Sequence, residues 1–431
     1  MDVGSRSTWK RARADDSESG FGVRDRARME GSMKRIGQVF VGALLGALCL
    51  SAATAWSHPT RLGETVSVQS EILEEPRTVY VSLPASYSQS ERSYPVLYLL
   101  DAEWHFPVVA SQVRYLSDCS ASDIIAPELI VVGLENVDRD RDYTPTHVPE
   151  YKGMEFPTSG GAARFRRFLT EELIPWIDST YRTVPHRVLG GWSFGGLFTI
   201  DSLLEGPEPF FAFVGISPSI WWEDELLLGR QIRNPLSQPT RLMMTIGADE
   251  QGGMNYTAAT KFAEQLERDP VEGLEVTFIE IEGAGHNQSL PLAYYRAIRA
   301  LYSDWRAPDE VIEAGKARID RYYEELSKEY GYTLTIPEPV LVSLGIGHLR
   351  AERMEKAKTV FEEMTRLYPE SSFGHSLLGR TWQKMGEPSS AREEYLRAIQ
   401  IEFKQEPPDH LDMRYYRARL AEVEAVEDLN Q

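Results

Sequence analysis

Short runs of consecutive apolar residues recur along the chain at 95–100, 129–134, 187–191, 211–216, 242–246 and 276–281. Each is bounded by glycine, proline or polar residues, which is how a strand buried on both faces reads. Between them lie stretches with helical spacing at 161–178, 195–205, 256–268 and 290–304. Strands alternating with helices predict a mostly parallel sheet covered by helices on both faces. Ahead of these, the runs at 62–70 and 76–83 alternate apolar with polar positions and predict an antiparallel hairpin. After Trp305-Arg306-Ala307-Pro308 the texture changes: strand-like runs cease, charged helical residues dominate, and a domain boundary is expected near 307.

The region 307–431 contains an internal repeat. Leu344-Gly345 and Leu378-Gly379 stand 34 residues apart, and Ala357 with Ala391 and Phe361 with Tyr395 keep the same interval. This is the period of tetratricopeptide helix pairs, in which a small residue lets two helices approach and an aromatic fills the space between them. Tyr368-Pro369 closes the first unit, as a proline that cannot continue a helix should. Two units are fewer than the three or so that stand alone, so this all-α region is expected to dock on the rest of the chain or on itself. Its roles range from gripping a protein partner to self-association or a structural cap.

The amino terminus adds a targeting pattern. Met33-Lys-Arg precedes an apolar stretch, Ile36 to Leu50, and then Ala53-Thr54-Ala55, the three parts of a secretory signal. The apolar stretch is shorter than the roughly 20 residues of a comfortable membrane span. Residues 33–55 are therefore read as a signal peptide and 1–32 as an upstream extension from a mis-assigned start. The expected mature chain has no membrane span, begins at Trp56 and is periplasmic or secreted, with the first domain running over 56–306. Cys49 leaves with the signal, so Cys119 alone remains and no disulfide framework is possible. Acidic residues outnumber basic ones by 65 to 46, for a net charge of −19, with no basic stripe. Nucleic-acid binding is thereby excluded, and an anionic membrane surface would repel the chain. No cysteine or histidine lies near Cys119 to make a metal site with it, and neither metal nor cofactor is expected.

Chemistry concentrates in Arg187-Val-Leu-Gly-Gly-Trp-Ser-Phe-Gly-Gly-Leu-Phe198, where Gly191-Trp192-Ser193-Phe194-Gly195 separates a strand-like run from a helical one. A serine nucleophile on a tight strand-to-helix turn requires flanking residues without side chains, and this is the nucleophile elbow of α/β-hydrolases. In that fold the acid and then the histidine follow the serine. Of the four histidines after Ser193, His348, His375 and His410 fall in the helical region, which leaves His286, in Gly283-Ala-Gly-His-Asn287 after an apolar run, as the base. The run Leu242 to Ile246 ends in Gly247-Ala-Asp-Glu250, so Asp249 is taken as the acid, with Glu250 the close competitor and Glu223 a more distant one. The oxyanion hole needs two amides. Phe194 supplies one and the loop Asp101 to Trp104 the other, with Glu103 favoured by position among Ala102, Glu103 and Trp104. Trp104, Trp221 and Trp222 are candidate pocket walls suited to an aryl or bulky acyl group, although neighbours in an extended segment point to opposite sides. Asp138-Arg-Asp-Arg-Asp142 alternates sign and offers Arg139 or Arg141 to an anionic group, or else forms a self-satisfied salt-bridge loop.

These residues, with Tyr98-Leu-Leu-Asp-Ala102, Val132-Gly-Leu-Glu-Asn136, Asp138 to Pro145, Gly160-Gly161, Ser217-Pro-Ser-Ile-Trp-Trp222 and Gly285-His286-Asn287, give residues 60–306 a pattern that resembles the esterase D and enterobactin-esterase branch of the α/β-hydrolases. The resemblance implies an α/β-hydrolase fold, Ser193 as nucleophile, His286 as base and an acid at Asp249. It also implies hydrolysis of a siderophore or other aryl or acyl ester, a small-molecule substrate. Acyl transfer from the same acyl-enzyme, and a non-catalytic envelope scaffold working through the repeats, are the alternative functions. The chain departs from the family where Asp101-Ala102 replaces the usual Asp-Gly.

Overall fold

The computed structural model describes residues 10–12, 62–118, 124–233, 235–404 and 410–430, so the signal-like segment, Cys49 and Cys119 lie outside the described residues. Each apolar run forms a strand. In chain order the strands are β1 (Lys10–Ala12), β2 (Glu64–Ser70), β3 (Glu75–Ser82), β4 (Tyr94–Leu99), β5 (Ile130–Leu134), a separate hairpin of β6 (Glu150–Tyr151) and β7 (Met154–Glu155), then β8 (Thr183–Trp192), β9 (Ala212–Ile216), β10 (Thr240–Gly247) and β11 (Leu274–Ile281). Nine of them make one sheet in the order β1-β11-β10-β9-β8-β4-β5-β3-β2. Pairing is parallel from β1 through β5 in that order and antiparallel only for β3 with β5 and β2 with β3. This is the α/β-hydrolase arrangement.

The helices of the first part are α1 (Ala102–Asp118), α2 (Arg139–Tyr143), α3 (Ala162–Arg167), which continues through a π-helical stretch at Phe168–Leu173 into α4 (Ile174–Thr180), α5 (Phe194–Glu205), the short α6 (Trp222–Glu225), α7 (Met254–Arg268) and α8 (Ser289–Leu301). Successive strand side chains feed opposite faces. Leu97, Leu99, Val131, Val188 and Met243 enter one core with α1 and α8, whereas Tyr98, Val132, Leu189, Leu242 and Met244 enter another with α3, α4, α5 and α7. Helix α1 is absent from the elements expected from the sequence. Pro107 lies within it, and a proline inside a helical pattern argues locally for a break; burial of Phe106, Val109, Ala110, Val113 and Leu116 on the sheet overrides that preference.

Beyond residue 307 follow α9 (Asp309–Glu313), α10 (Lys316–Tyr330), α11 (Glu338–Arg350), α12 (Met354–Leu367), α13 (Ser372–Met385), α14 (Pro388–Phe403) and α15 (His410–Asn430), and no strand is found there among the described residues. A Cβ added at Gly345 would come within 2.4 Å of the Phe361 ring, and one at Gly379 within 3.2 Å of the Tyr395 ring. The 34-residue spacing thus corresponds to two repeated close approaches of helices. Packing is continuous across the change of texture at 307: the core that contains α1 and α8 runs on through Tyr302 and Trp305 into Ile319, Tyr323, Tyr330, Val340 and Phe361. Arg241 adds a polar tie, with its guanidinium on Asp304 at 2.5 Å and on Glu329. No helix among the described residues is long and apolar enough to cross a membrane.

Candidate active site

Strand β8 ends at Trp192, and α5 begins at Phe194. Between them Ser193 takes φ 57°, ψ −115°, a conformation that an L-residue holds only when its surroundings enforce it. The enforcement is visible. Ser193 N donates to Ile216 O at 2.9 Å, and the Ser193 carbonyl accepts from Leu197 N at 2.9 Å and from Ser219 N at 3.0 Å. A Cβ at Gly191 would sit 2.3 Å from the Gly195 backbone, and one at Gly195 would meet Asp101 Oδ2 at 2.9 Å. The glycine spacing that marks the motif is therefore a packing requirement of the turn itself.

His286 follows β11, and its ring lies against that of Trp192 with centroids 4.7 Å apart. Trp192 Nε1 donates to the His286 carbonyl at 3.0 Å, which ties the histidine loop to the elbow. The ring's Nδ1 is 2.8 Å from Glu250 Oε2. Here the structure differs from the expectation that Asp249 is the acid. Asp249 is exposed, and its amide donates to Ala284 O at 3.1 Å. The chain leaves β10 in a tight turn over Ala248–Glu250, and it is the side chain one residue further on that folds back toward the site. Glu250 Oε1 accepts from Ser217 Oγ at 2.7 Å and from Gly247 N at 3.1 Å; Oε2 also accepts from Asn255 Nδ2 at 3.2 Å. Burial pushes the Glu250 carboxyl up, but hydrogen bonds from His286, Ser217 and Asn255 and the His286 charge more than offset this and hold it below its ordinary value. A glutamate three residues after a turn-starting glycine, reaching back to that residue's N–H, is half of a capping box, and this was the local signal for Glu250. Glu223 lies elsewhere, accepting from Thr146 Oγ1 at 2.5 Å.

Ser193 Oγ is 3.3 Å from Ser219 Oγ, and among the described residues no hydrogen bond joins it to His286. On the oxyanion side, the amides of Trp104 and His105 both donate to Asp101 O, at 3.1 and 3.2 Å, which removes Trp104 from the candidate donors and leaves Ala102 and Glu103. Glu103 stands in the first turn of α1, so its amide belongs to a helix start whose N–H groups lack intrahelical partners. Its carboxylate is turned to Asn136, accepting from Nδ2 at 2.7 Å. Asp101 itself has φ 56° and is fully buried. Arg139 joins the two loops, donating from Nε to Asp101 Oδ1 at 2.7 Å and from its guanidinium to the Trp192 carbonyl at 3.0 Å. Arg141 is occupied by Glu75 and Asp142. The charged segment is thus a salt-bridge loop that braces the elbow.

Of the tryptophans, Trp222 is 1 % exposed and donates from Nε1 to Thr146 Oγ1 at 2.9 Å, so it is a core residue and not a pocket wall. Trp221, in helical and not extended backbone, shares the Tyr151 and Phe194 rings with Trp222 but is half-buried; it stacks on Tyr151 at 5.9 Å, with the Phe194 ring 5.8 Å away. Trp104 is 56 % exposed, with the Arg139 guanidinium carbon 5.9 Å from its ring centroid. In the sequence Trp192, Ser217 and Ser219 stand within motifs without an assigned role and Asn255 is not singled out, because only the fold brings Ser217 to Glu250, Ser219 to Ser193, and Trp192 and Asn255 to His286. Among the described residues no group of three His, Cys, Asp or Glu side chains is arranged to hold a metal ion.

The family model described as "Putative esterase" matches residues 70–279. The ferri-bacillibactin esterase BesA of Bacillus subtilis strain 168 is 33% identical over 247 residues, which cover 52% of this chain and 85% of BesA. Among solved structures, an IroE-like serine hydrolase from Shewanella oneidensis is 28% identical with a TM-score of 0.61, over 71% of this chain and 99% of that one. A protein of uncharacterised function from Capnocytophaga ochracea shares the fold at 18% identity, with a TM-score of 0.53 over 84% of this chain and 99% of its own. Identity of this order across most of BesA shows that the chain belongs to this esterase family of α/β-hydrolases and is a carboxylic ester hydrolase.

Proposed function

We propose that the protein is a serine esterase that cleaves a siderophore or a related aryl or acyl ester through an acyl-Ser193 intermediate, with His286 as base and Glu250 as the acid that orients it. The observation that carries this reading is a strained serine at the head of α5 beside a histidine whose Nδ1 is bound to a carboxylate. Glu250 fixes the proton on Nδ1 and leaves Nε2 free to take the serine proton. Ser193 Oγ rotates away from Ser219, attacks the ester carbonyl carbon and passes its proton to His286. The amides of Phe194 and Glu103 receive the negative oxygen, each worth about 3 kcal/mol at such a site. Collapse expels the alcohol with the proton from His286, and water repeats the sequence on the acyl-serine to release the acid.

Trp221, Tyr151 and exposed Trp104 favour an aromatic or bulky acyl group. BesA, the relative cited above, is a siderophore esterase by name, which points to the same substrate class. The signal-like segment 33–55 suggests that the work is done outside the cytoplasm, and the helix pairs after 307 are read as tetratricopeptide-like. The test is labelling by a fluorophosphonate probe with mapping of the modified residue, alongside hydrolysis of an ester panel that includes catecholate siderophores. Label on Ser193, lost in Ser193→Ala, and turnover of aryl esters are the expected results; label elsewhere, or turnover that survives Ser193→Ala, overturns the reading.

A further inference from the structure

Asn255 has no part in the acyl transfer just described, yet it stands in the first turn of α7 at the centre of the acid–base pair. Its Nδ2 is 2.9 Å from His286 Nδ1 and 3.2 Å from Glu250 Oε2, while those two atoms are 2.8 Å from each other. With His286 Nδ1–H donating its hydrogen bond to Glu250, the amide nitrogen of Asn255 donates to the carboxylate alone. A carboxylate only accepts, so Glu250 forces the amide to present its nitrogen. The other end of the same amide, Oδ1, is buried and has no hydrogen-bond partner.

Half a turn about the Asn255 Cβ–Cγ bond exchanges the two atoms. It sacrifices no hydrogen bond of Oδ1, because there is none. With Glu250 present the turned amide would set Oδ1 against Oε2, oxygen against oxygen, and the turn is blocked. Without Glu250 the turned amide offers a carbonyl oxygen at hydrogen-bond distance from Nδ1. An asparagine carbonyl in that position does orient the imidazole in some hydrolases built around a cysteine. We propose that Asn255 is a second positioning residue for His286. Beside Glu250 it holds the carboxylate in place, and where the carboxylate is missing its carbonyl oxygen accepts the hydrogen bond from Nδ1–H and keeps the productive tautomer. The acid of this site is therefore partly replaceable by its neighbour. This proposal rests on the Ser193–His286 reading.

A mutant cycle on 4-nitrophenyl acetate, with kcat and KM separated, tests it. Asn255→Ala is expected to lower kcat about tenfold and Glu250→Ala about 10²-fold, whereas the double variant loses roughly 10⁴-fold or more, beyond the product of the singles. KM should move little, because neither side chain touches substrate. Asn255→Asp placed in the Glu250→Ala background should raise kcat above that background, since an acceptor is restored without a rotation. Glu250→Leu, which fills the space without an acceptor, runs in parallel in case the alanine variant fails to fold. A double variant no worse than the product of the singles, or Asn255→Asp without gain, overturns the proposal. His286→Ala is the control: if that variant stays active, the acyl-transfer reading itself falls, and if it is inactive while the cycle is additive, only the part given to Asn255 falls.

Discussion

His186 lies near the start of β8 and Ser193 just past its end, so the single strand that carries the nucleophile also carries, at its other end, a histidine of the opposite character to His286. His186 is 0 % exposed, stacked on Tyr330 with centroids 4.9 Å apart, and its Nδ1 is 3.0 Å from the Tyr330 carbonyl. Burial among rings drives its pKa down to about 3, so it stays neutral and serves the contact between sheet and helical region. His286 faces a carboxylate instead of a carbonyl, and its side chain is 30 % exposed. A carboxylate stabilises the imidazolium that a carbonyl in an apolar pocket cannot, and solvent access lets a substrate reach the ring. The same side chain is a packing element at one end of the sheet and a proton carrier at the other because of these two differences.

The sharpest way to break this comparison is to remove each member of the catalytic end. Ser193→Ala and His286→Ala should each lower kcat by roughly 10⁴- to 10⁶-fold in initial-rate assays. His186→Phe, which keeps an aromatic ring, should stay within tenfold of the parent, and loss of turnover in a folded His186→Phe would erase the distinction. Next in size is the choice of acid: Glu250→Ala loses about 10²-fold in kcat while Asp249→Ala stays within about twofold. The reverse order would restore the neighbouring carboxylate to the site.

In the helical region, Gly345→Ala pushes a methyl into the Phe361 ring and should cost about 1–3 kcal/mol, read as a lower thermal midpoint with kcat unchanged. An effect of similar size, seen only in acid, concerns His186. Its folded pKa is below the ordinary value, so between pH 6.5 and about 3 the unfolded chain binds a proton that the folded chain refuses. Stability therefore falls as pH drops through this window, by about 2 kcal/mol at pH 5 from this group. Thermal midpoints at pH 7 and pH 5 should fall further apart in the parent than in His186→Phe; equal falls would mean that His186 is not held neutral.

Much of the architecture was legible because it is written in local patterns. Strand runs, the hairpin of β2 and β3 and the change of texture after 307 each follow from how apolar residues are spaced. Ser193 was legible for a related reason, since a strained turn needs glycine at fixed positions however the rest of the chain folds. His286 came from chain order and from the loss of strands beyond 307. Helix α1 was not legible, because Pro107 speaks locally against it and burial on the sheet decided the matter. Asp249 and Glu250 present the same chemistry at the same strand end, and only the turn over Ala248–Glu250 decides which carboxylate meets His286. Likewise Trp221 and Trp222 are adjacent and identical, and contact with Phe156 and the hydrogen bond to Thr146 mark Trp222 as the core one. The sequence determined which residue types stand at the ends of which strands, because spacing and strain are properties of a few consecutive residues. The tertiary structure alone decided which of two equivalent neighbours enters the site, and that Asn255 meets both acid and base, because His286 reaches them from 31 and 36 residues along the chain.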